Sequence, residues 1–259
     1  MKKKVLFHIL ELLLLIGLSG LAVYTLRMHE IEFKRCEWWF RRNGNGVPPQ
    51  AEWGAGFLRR YDAYYLGDIK EKVIYLTFDE GYKNENAHKI LDILKENNVP
   101  AAFFVTASFL KKAPEITVRM VEEGHVVGNH TAHHADITEI SKEELAQELA
   151  ECEQLFQEVT GREMDPFFRP PEGVYNIHAL KEIKELGYKT VFWSMAYRDW
   201  DVDNQPTEQE AYSHMLTYCH SGCIPLLHVV SSTNTKVLDS VIKELKAEGY
   251  EFKSLYDLP

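Results

Sequence analysis

Positive charge is scarce in this chain: 29 Lys and Arg stand against 39 Asp and Glu, for a net charge of −10. Removing residues 1–26, which hold three Lys and one Glu, takes the remainder to −12. Such a surface repels phosphate polymers, so nucleic acid is excluded as a partner, and attraction to anionic wall polymers by bulk charge is disfavoured. Cysteine is sparse, with four residues. Cys219 and Cys223 are close enough in sequence to consider a disulfide, Cys152 falls on the apolar face of an expected helix, and a zinc site at Cys219-x-x-x-Cys223 would need ligands beyond the adjacent His220. Internal repeats and low-complexity tracts are absent.

A convincing small-x-small cleavage site is also missing behind the amino-terminal apolar run, where Gly20-Leu21-Ala22 is the nearest approach. Met1-Lys2-Lys3-Lys4 is a basic start, and Val5 to Leu26 is 22 residues of mostly apolar sequence interrupted by His8 and Glu11. At about 1.5 Å per residue this run is long enough for a bilayer core. An uncleaved signal anchor with its basic end in the cytoplasm is expected over 1–28, with a cleaved signal peptide as the alternative. Either one exports the rest, which then lies outside the cytoplasm, anchored to the membrane or secreted.

Residues 29–72 read as an arm rich in aromatic and basic side chains, with a Gly- and Pro-containing turn at 41–49. Trp38, Trp39 and Trp53 serve either to anchor this arm or to stack on sugar rings, and anchoring is favoured. From Val73 to Pro259, short apolar strands alternate with amphipathic helices expected at 84–97, 114–123, 142–160, 177–186, 207–220 and 235–248. In the third of these, Leu145, Leu149, Cys152, Leu155, Phe156 and Val159 recur at helical spacing and leave an acidic outer face. The alternation predicts an α/β fold with a parallel sheet of about seven strands, as one domain.

Reactive side chains cluster at strand exits. Val73-Ile74-Tyr75-Leu76 delivers Thr77-Phe78-Asp79-Glu80-Gly81, and Gly81 is expected to let the backbone turn so that both acids face one cavity. His125-Val126-Val127-Gly128 delivers His130 and His134, which on a helical turn would share one face and reach one metal ion. Adding Glu80 or Asp79 gives the two-histidine, one-carboxylate set that suits Zn, Fe or Co. Arg169, after Phe167-Phe168, has the planar fork needed to orient a carboxylate such as Asp79 or to bind substrate. Asp199-Trp200 and Leu226-Leu227-His228 end two further apolar runs.

These five clusters, in this order, resemble the motifs of the polysaccharide deacetylases, the NodB-like domain of carbohydrate esterase family four, across residues 73–259. Thr77 to Gly81 corresponds to Thr-Phe-Asp-Asp-Gly, His130 to His134 to His-Ser/Thr-x-x-His, and Arg169 to Gly173 to Arg-x-Pro-x-Gly. Asp199-Trp200 and Leu226 to His228 supply the last two motifs. Gly81-Tyr82, Arg169 to Val174, and Val191 to Ser194 followed by Ala196 make the chain most similar to the spore-cortex enzymes of muramic δ-lactam formation. Two positions depart from the family pattern. Glu80 stands where the family has its metal-binding Asp, and Ala196 where many members have the first Asp of Asp-x-x-Asp-Trp.

The resemblance implies closure of the sheet into an irregular (β/α) barrel and a divalent metal, Zn with Co or Mn as alternatives, held by Glu80, His130 and His134. It implies Asp79 as general base aligned by Arg169, and His228 as general acid oriented by Asp199. A backbone N–H near Glu172 would meet the oxyanion, and Trp200 and Leu226 would wall an acetyl pocket, although core packing is an equal reading for Leu226. The implied activity is metal-dependent de-N-acetylation of a cell-wall glycan, N-acetylmuramic acid residues without peptide, by a monomer. N-acetylglucosamine of peptidoglycan or chito-oligosaccharide is the alternative substrate. A glycoside hydrolase is disfavoured because adjacent acids seldom flank a sugar, and a non-catalytic wall-binding protein with a decayed site is disfavoured because the other motif residues remain.

Overall fold

The computed structural model describes residues 2–81 and 84–259, and within the first helix the side chains of Lys4, His8 and residues 14 onward. Tyr82 lies outside the described residues. Eight strands form one parallel sheet: β1 (Ala63–Tyr64), β2 (Leu76–Glu80), β3 (Ala101–Val105), β4 (Val126–Asn129), β5 (Phe167–Phe168), β6 (Lys189–Val191), β7 (Met195–Ala196) and β8 (Pro225–His228). Their order is β7-β8-β2-β3-β4-β5-β6-β1, with every pairing parallel. About seven strands were expected. The additional edge strand β1 comes from the segment read as an arm, where Ala63-Tyr64 is too short to show a period in sequence. Among the described residues β7 and β1 do not pair with each other, so the sheet is an open, distorted barrel. An antiparallel bridge between Leu66 and Cys223 and a Gly67 N–H donating to Gly222 O at 2.9 Å bring the continuation of β1 to the start of β8.

The six expected helices form at α2 (Asn86–Asn97), α4 (Pro114–Glu122), α5 (Lys142–Thr160), α6 (Ile177–Glu185), α7 (Glu208–Tyr218) and α8 (Asn234–Ala247), joined by a short α3 (Ala107–Lys112). Their ends follow local chemistry. Ser141 with Glu144, and Thr207 with Glu210, make reciprocal capping boxes at the starts of α5 and α7, satisfying N–H groups that a helix leaves open. Gly161 ends α5 at φ +70°.

Side chains of the inner strands alternate between two cores. Phe78, Phe103 and Val105 pack outward with Ile90, Leu94, Phe109 and Val241 of the helical layer. Ala102, Phe104 and Phe167 pack inward with Tyr75 and Ile224. Both faces of β3 are buried, as a central parallel strand between helices and barrel interior requires.

The aromatic arm is anchored, as favoured from sequence. Cys36–Glu37 pairs antiparallel with Val174–Tyr175. Trp38 is buried against Tyr65, Tyr175 and Phe192, and its indole Nε1 donates to Trp193 O at 2.9 Å. Trp53 stacks on Phe57, whereas Trp39 remains exposed. The amino-terminal helix α1 (Lys2–Phe33) is continuous. It docks by its last turn, where Lys181 donates to Glu32 at 2.6 Å and Phe33 stacks on His178 of α6. The apolar run Val5 to Leu26 lies partly outside the described side chains, and among the described residues no helix is long and apolar enough to cross a membrane.

Gly128 of β4 shows how tightly the interior is filled. A Cβ there would stand 2.7 Å from Phe167 O and 2.8 Å from the Phe104 ring. Gly128→Ala is therefore expected to cost about 1–3 kcal/mol of unfolding free energy in a urea titration; an unchanged midpoint would show that both the Phe104 ring and the backbone at Phe167 give way.

Candidate active site

The parallel register sets the site before any side chain is considered. It aligns His228 of β8 with Asp79 of β2, and Asp79 with Phe104 of β3. Asn129 of β4 is aligned with Phe168 of β5, so His130 and Arg169, one residue further on, leave the same rim of the sheet. Four of the predicted site residues, Asp79, His130, Arg169 and His228, thus reach one end of the barrel from four strands.

Arg169 is fully buried. Its Nη1 donates to Asp79 Oδ1 at 2.7 Å, Nη2 to Thr77 Oγ1 at 2.8 Å and Nε to Val191 O at 2.9 Å. The guanidinium carbon lies 4.3 Å from the centroid of the Phe104 ring, a cation–π contact that a dry interior strengthens. Burial alone would raise the Asp79 pKa; the Arg169 charge, with His130 and His228, outweighs it and holds the carboxyl below its ordinary value.

Asp199 and His228 form a second acid–base pair. Asp199 Oδ1 is 2.7 Å from His228 Nδ1, and Oδ2 accepts from the His228 backbone N–H at 2.8 Å. Burial would lower the imidazole pKa, yet the bond to Asp199, with the charges of Asp199 and Asp79, raises it. Nε2 is then the ring nitrogen left to serve a substrate. Sequence reasoning missed what holds Asp199. Asn234 Nδ2 donates to Asp199 Oδ2 at 2.7 Å and to His228 O at 3.1 Å, and Tyr197 O–H donates to Asn234 Oδ1. Asn234 opens α8 and carries no local motif signal. Its neighbourhood to Asp199 exists only in three dimensions, and it supports Asp199 where Ala196 supplies no second acid.

The two histidines come together by a route other than the expected one. His130 to His134 is a loop, with Thr131 at φ +62° and His134 at φ +57°, not a helical turn. The left-handed residues fold the loop so that the rings lie 5.0 Å apart, edge to face. His130 Nδ1 is 2.8 Å from Arg169 O. A carbonyl only accepts, so Nδ1 carries the proton and Nε2 presents its lone pair, 3.7 Å from Asp79 Oδ2. Burial lowers the His130 pKa to about 4.

Glu80 departs from the expectation. Strand β2 runs through Glu80 instead of ending before Asp79, so the two acids occupy consecutive strand positions and point to opposite faces. Gly81 has no positive φ, and a Cβ there would meet nothing within 4 Å; it does not turn both acids into one cavity. Glu80 is 1% exposed, and among the described residues both carboxyl oxygens are buried without a hydrogen-bond partner. Burial, then the charge of Asp79, raises its pKa well above the ordinary value. Among the described residues no three His, Cys, Asp or Glu side chains gather closely enough to hold a metal ion. His130 and His134 offer two nitrogens, one donor short of a catalytic zinc site, and this arrangement does not fit a metal.

The remaining candidates sit at the rim. Leu226 is 7% exposed and shares the inward face of β8 with His228, while Leu227 between them joins the outer core. Trp200 is 54% exposed, with the Arg198 guanidinium 5.1 Å from its ring. Glu172, exposed at the tip of the turn after Arg169, has φ +55°.

An Arg-held carboxylate beside an Asp-held histidine, at the carboxyl ends of parallel strands, is an arrangement suited to acid–base hydrolysis. The family model for polysaccharide deacetylase matches residues 67–191, and the chain belongs to that family. It is 46% identical over 222 residues to a peptidoglycan-N-acetylmuramic acid deacetylase of Bacillus subtilis, covering 85% of this chain and 84% of that protein. It is 31% identical over 193 residues to a peptidoglycan-N-acetylglucosamine deacetylase of Bacillus cereus, covering 73% and 88%. Among solved structures, the Bacillus subtilis family 4 carbohydrate esterase PdaA superposes with a TM-score of 0.84 at 45% identity, covering 87% of this chain and 97% of that chain.

Two outcomes follow from this geometry. Arg169→Ala leaves Asp79 buried without its counter-charge and is expected to cost about 3–5 kcal/mol of stability by urea titration; a loss within experimental error would make the pair energetically idle. Asp199→Asn removes the anion that overrides burial, so the His228 titration, followed by NMR, should fall below the ordinary imidazole value. The native His228 pKa is raised, so its contribution to stability is complete below the unfolded pKa and is lost as pH rises through the folded one. An unmoved His228 titration would separate the two residues.

Proposed function

We propose that the chain removes the N-acetyl group from N-acetylmuramic acid residues lacking peptide stems in a cell-wall glycan, on the way to muramic δ-lactam. The observation that carries the reading is the pairing of an Arg169-held Asp79 with an Asp199-held His228 on adjacent strands. The identity of the chain to a muramic acid deacetylase supports this substrate over N-acetylglucosamine.

In the proposed reaction Asp79 takes a proton from a water whose oxygen attacks the acetyl carbonyl. The new C–O bond forms as Arg169 keeps the carboxylate aligned. The oxyanion is met by a backbone N–H at Glu172, and Leu226 with Trp200 walls the acetyl methyl. His228 Nε2 then gives its proton to the nitrogen as the C–N bond breaks, releasing acetate and an amine. The family resemblance assigns a divalent ion, Zn with Co or Mn as alternatives, to Glu80, His130 and His134, a donor set that is incomplete among the described residues. The enzyme acts outside the cytoplasm as a monomer, with 1–28 as signal anchor or signal peptide, 29–72 as the arm and 73–259 as the catalytic domain.

Mass spectrometry of glycan strands with and without peptide stems, incubated with the protein, tests the reading. Loss of acetyl from peptide-free muramic acid is expected; loss confined to N-acetylglucosamine would move the substrate, and no loss from any strand would remove the activity. Asp79→Asn should lower turnover by about 10²–10⁴-fold with the fold retained, and full activity in that variant would remove the base. The rate should fall on the acid side only below the ordinary carboxylate range, and on the alkaline side above the ordinary imidazole value. In zinc calorimetry the parent chain and Glu80→Asp are expected to bind alike, because position 80 faces away from His130 and His134; tighter binding by Glu80→Asp would return position 80 to the donor set.

A further inference from the structure

The aromatic arm carries one tryptophan that neither the fold nor the proposed reaction uses. The chain holds five tryptophans. Trp38 is buried, and Trp53 and Trp193 are half-buried in the cluster that anchors the arm, whereas Trp39 and Trp200 are each 54% exposed. Tryptophan is strongly buried on average, so a large indole left in water is informative where a small exposed apolar side chain is not. Trp200 has a place in the proposed acetyl pocket, and the Arg198 guanidinium lies against its ring. Trp39 has no such role.

Contacts on either side of Trp39 fix its place at the rim. Before it, Glu37 pairs with Val174, and Trp38 donates its backbone N–H to Gly173 O at 2.9 Å and its indole Nε1 to Trp193 O at 2.9 Å. After it, Arg42 Nη2 donates to Ala196 O at 3.0 Å. Gly173 closes the turn that offers the Glu172 N–H, and Ala196 ends β7 and opens the loop to Asp199 and Trp200. The arm therefore crosses from one site loop to the other, and Trp39 lies on the crossing. A Cβ on Gly173 would stand 2.8 Å from Trp38 Cβ, so the arm is seated directly on that turn. Burial alternates along the crossing: Trp38 is buried, Trp39 exposed, Phe40 half-buried and Arg41 exposed. The alternation of an extended chain thus uses Trp38 as the anchor and turns Trp39 to the solvent side.

We propose that Trp39 is a sugar-stacking platform that binds a glycan residue flanking the disaccharide on which the reaction takes place. The proposal rests on the deacetylase reading of the same site and makes the preferred substrate a strand in place of a short fragment. A pyranose ring presents a face of C–H groups, and an indole with one face in water covers that face without needing a charge. This mode of recognition suits a chain of net charge −10, which has no bulk attraction for an anionic wall polymer. The platform and the catalytic residues are held by the same loops, since Gly173 follows Arg169 in one turn and Ala196 precedes Asp199 in one loop. A strand bound across Trp39 is thereby held in register with Asp79 and His228. Affinity drawn from a sugar remote from the reacting bond separates long substrates from short ones.

The test titrates the full chain calorimetrically with long peptide-free glycan strands and with their disaccharide unit, and follows acetyl release from both by mass spectrometry. Trp39→Ala is expected to weaken strand binding and raise the KM for strands by about 3–10-fold, the range an aromatic contact supplies. Its kcat, its handling of the disaccharide and its thermal midpoint should match the parent, and Trp39→Tyr should recover most of the strand affinity. Equal strand affinity in Trp39→Ala and the parent would overturn the platform. A loss of the same size on the disaccharide would overturn it too, by placing the effect at the reacting sugars or in the fold. Acetyl release with no effect of Trp39 on strands would keep the deacetylase and remove the platform, whereas weakened strand binding by Trp39→Ala with no acetyl release from the parent would keep the platform and remove the deacetylase.

Discussion

The buried pair between Arg169 and Asp79 is the constraint on which the rest of the site depends. A guanidinium removed from water must have its charge and all its donors answered locally. It receives Asp79, Thr77, the Val191 carbonyl and the face of Phe104. Those partners come from β2, β3 and β6, so satisfying one side chain draws strands from both halves of the sheet around a common point. Thr77 passes the connection on by donating to Pro225 O at 2.5 Å, which ties the neighbouring β8 into the same network.

His130 is coupled to this pair through the backbone of Arg169, whose carbonyl sets the tautomer of the imidazole. His228 is coupled through register, lying beside Asp79 while Asp199 and Asn234 hold it from behind. Opposite protonation preferences in neighbouring groups are what an acid–base hydrolase needs at one pH. Here they arise from the same cause applied twice: burial opposes each charge, and a specific partner overrides burial for both Asp79 and His228.

Glu80 shows the limit of motif reading. In sequence it stands in the metal-binding position of a familiar motif, next to the base. In the structure strand alternation sends it to the other face, buried and with its pKa raised, so adjacency in the chain becomes separation in space. The opposite happens for Asn234, which is distant in sequence and indispensable to the geometry of Asp199.

Alternating apolar runs and amphipathic helices were enough to place the six principal helices to within a few residues, because burial on a parallel sheet imposes periods that the side chains must obey. The order of reactive residues at strand ends was equally legible, since parallel strands expose the same end of each. What only the tertiary structure decided was orientation: the edge strand at Ala63–Tyr64, the loop that folds His130 onto His134, the face to which Glu80 points, and the support behind Asp199. These depend on contacts between segments far apart in the chain, and no local period or motif encodes such contacts.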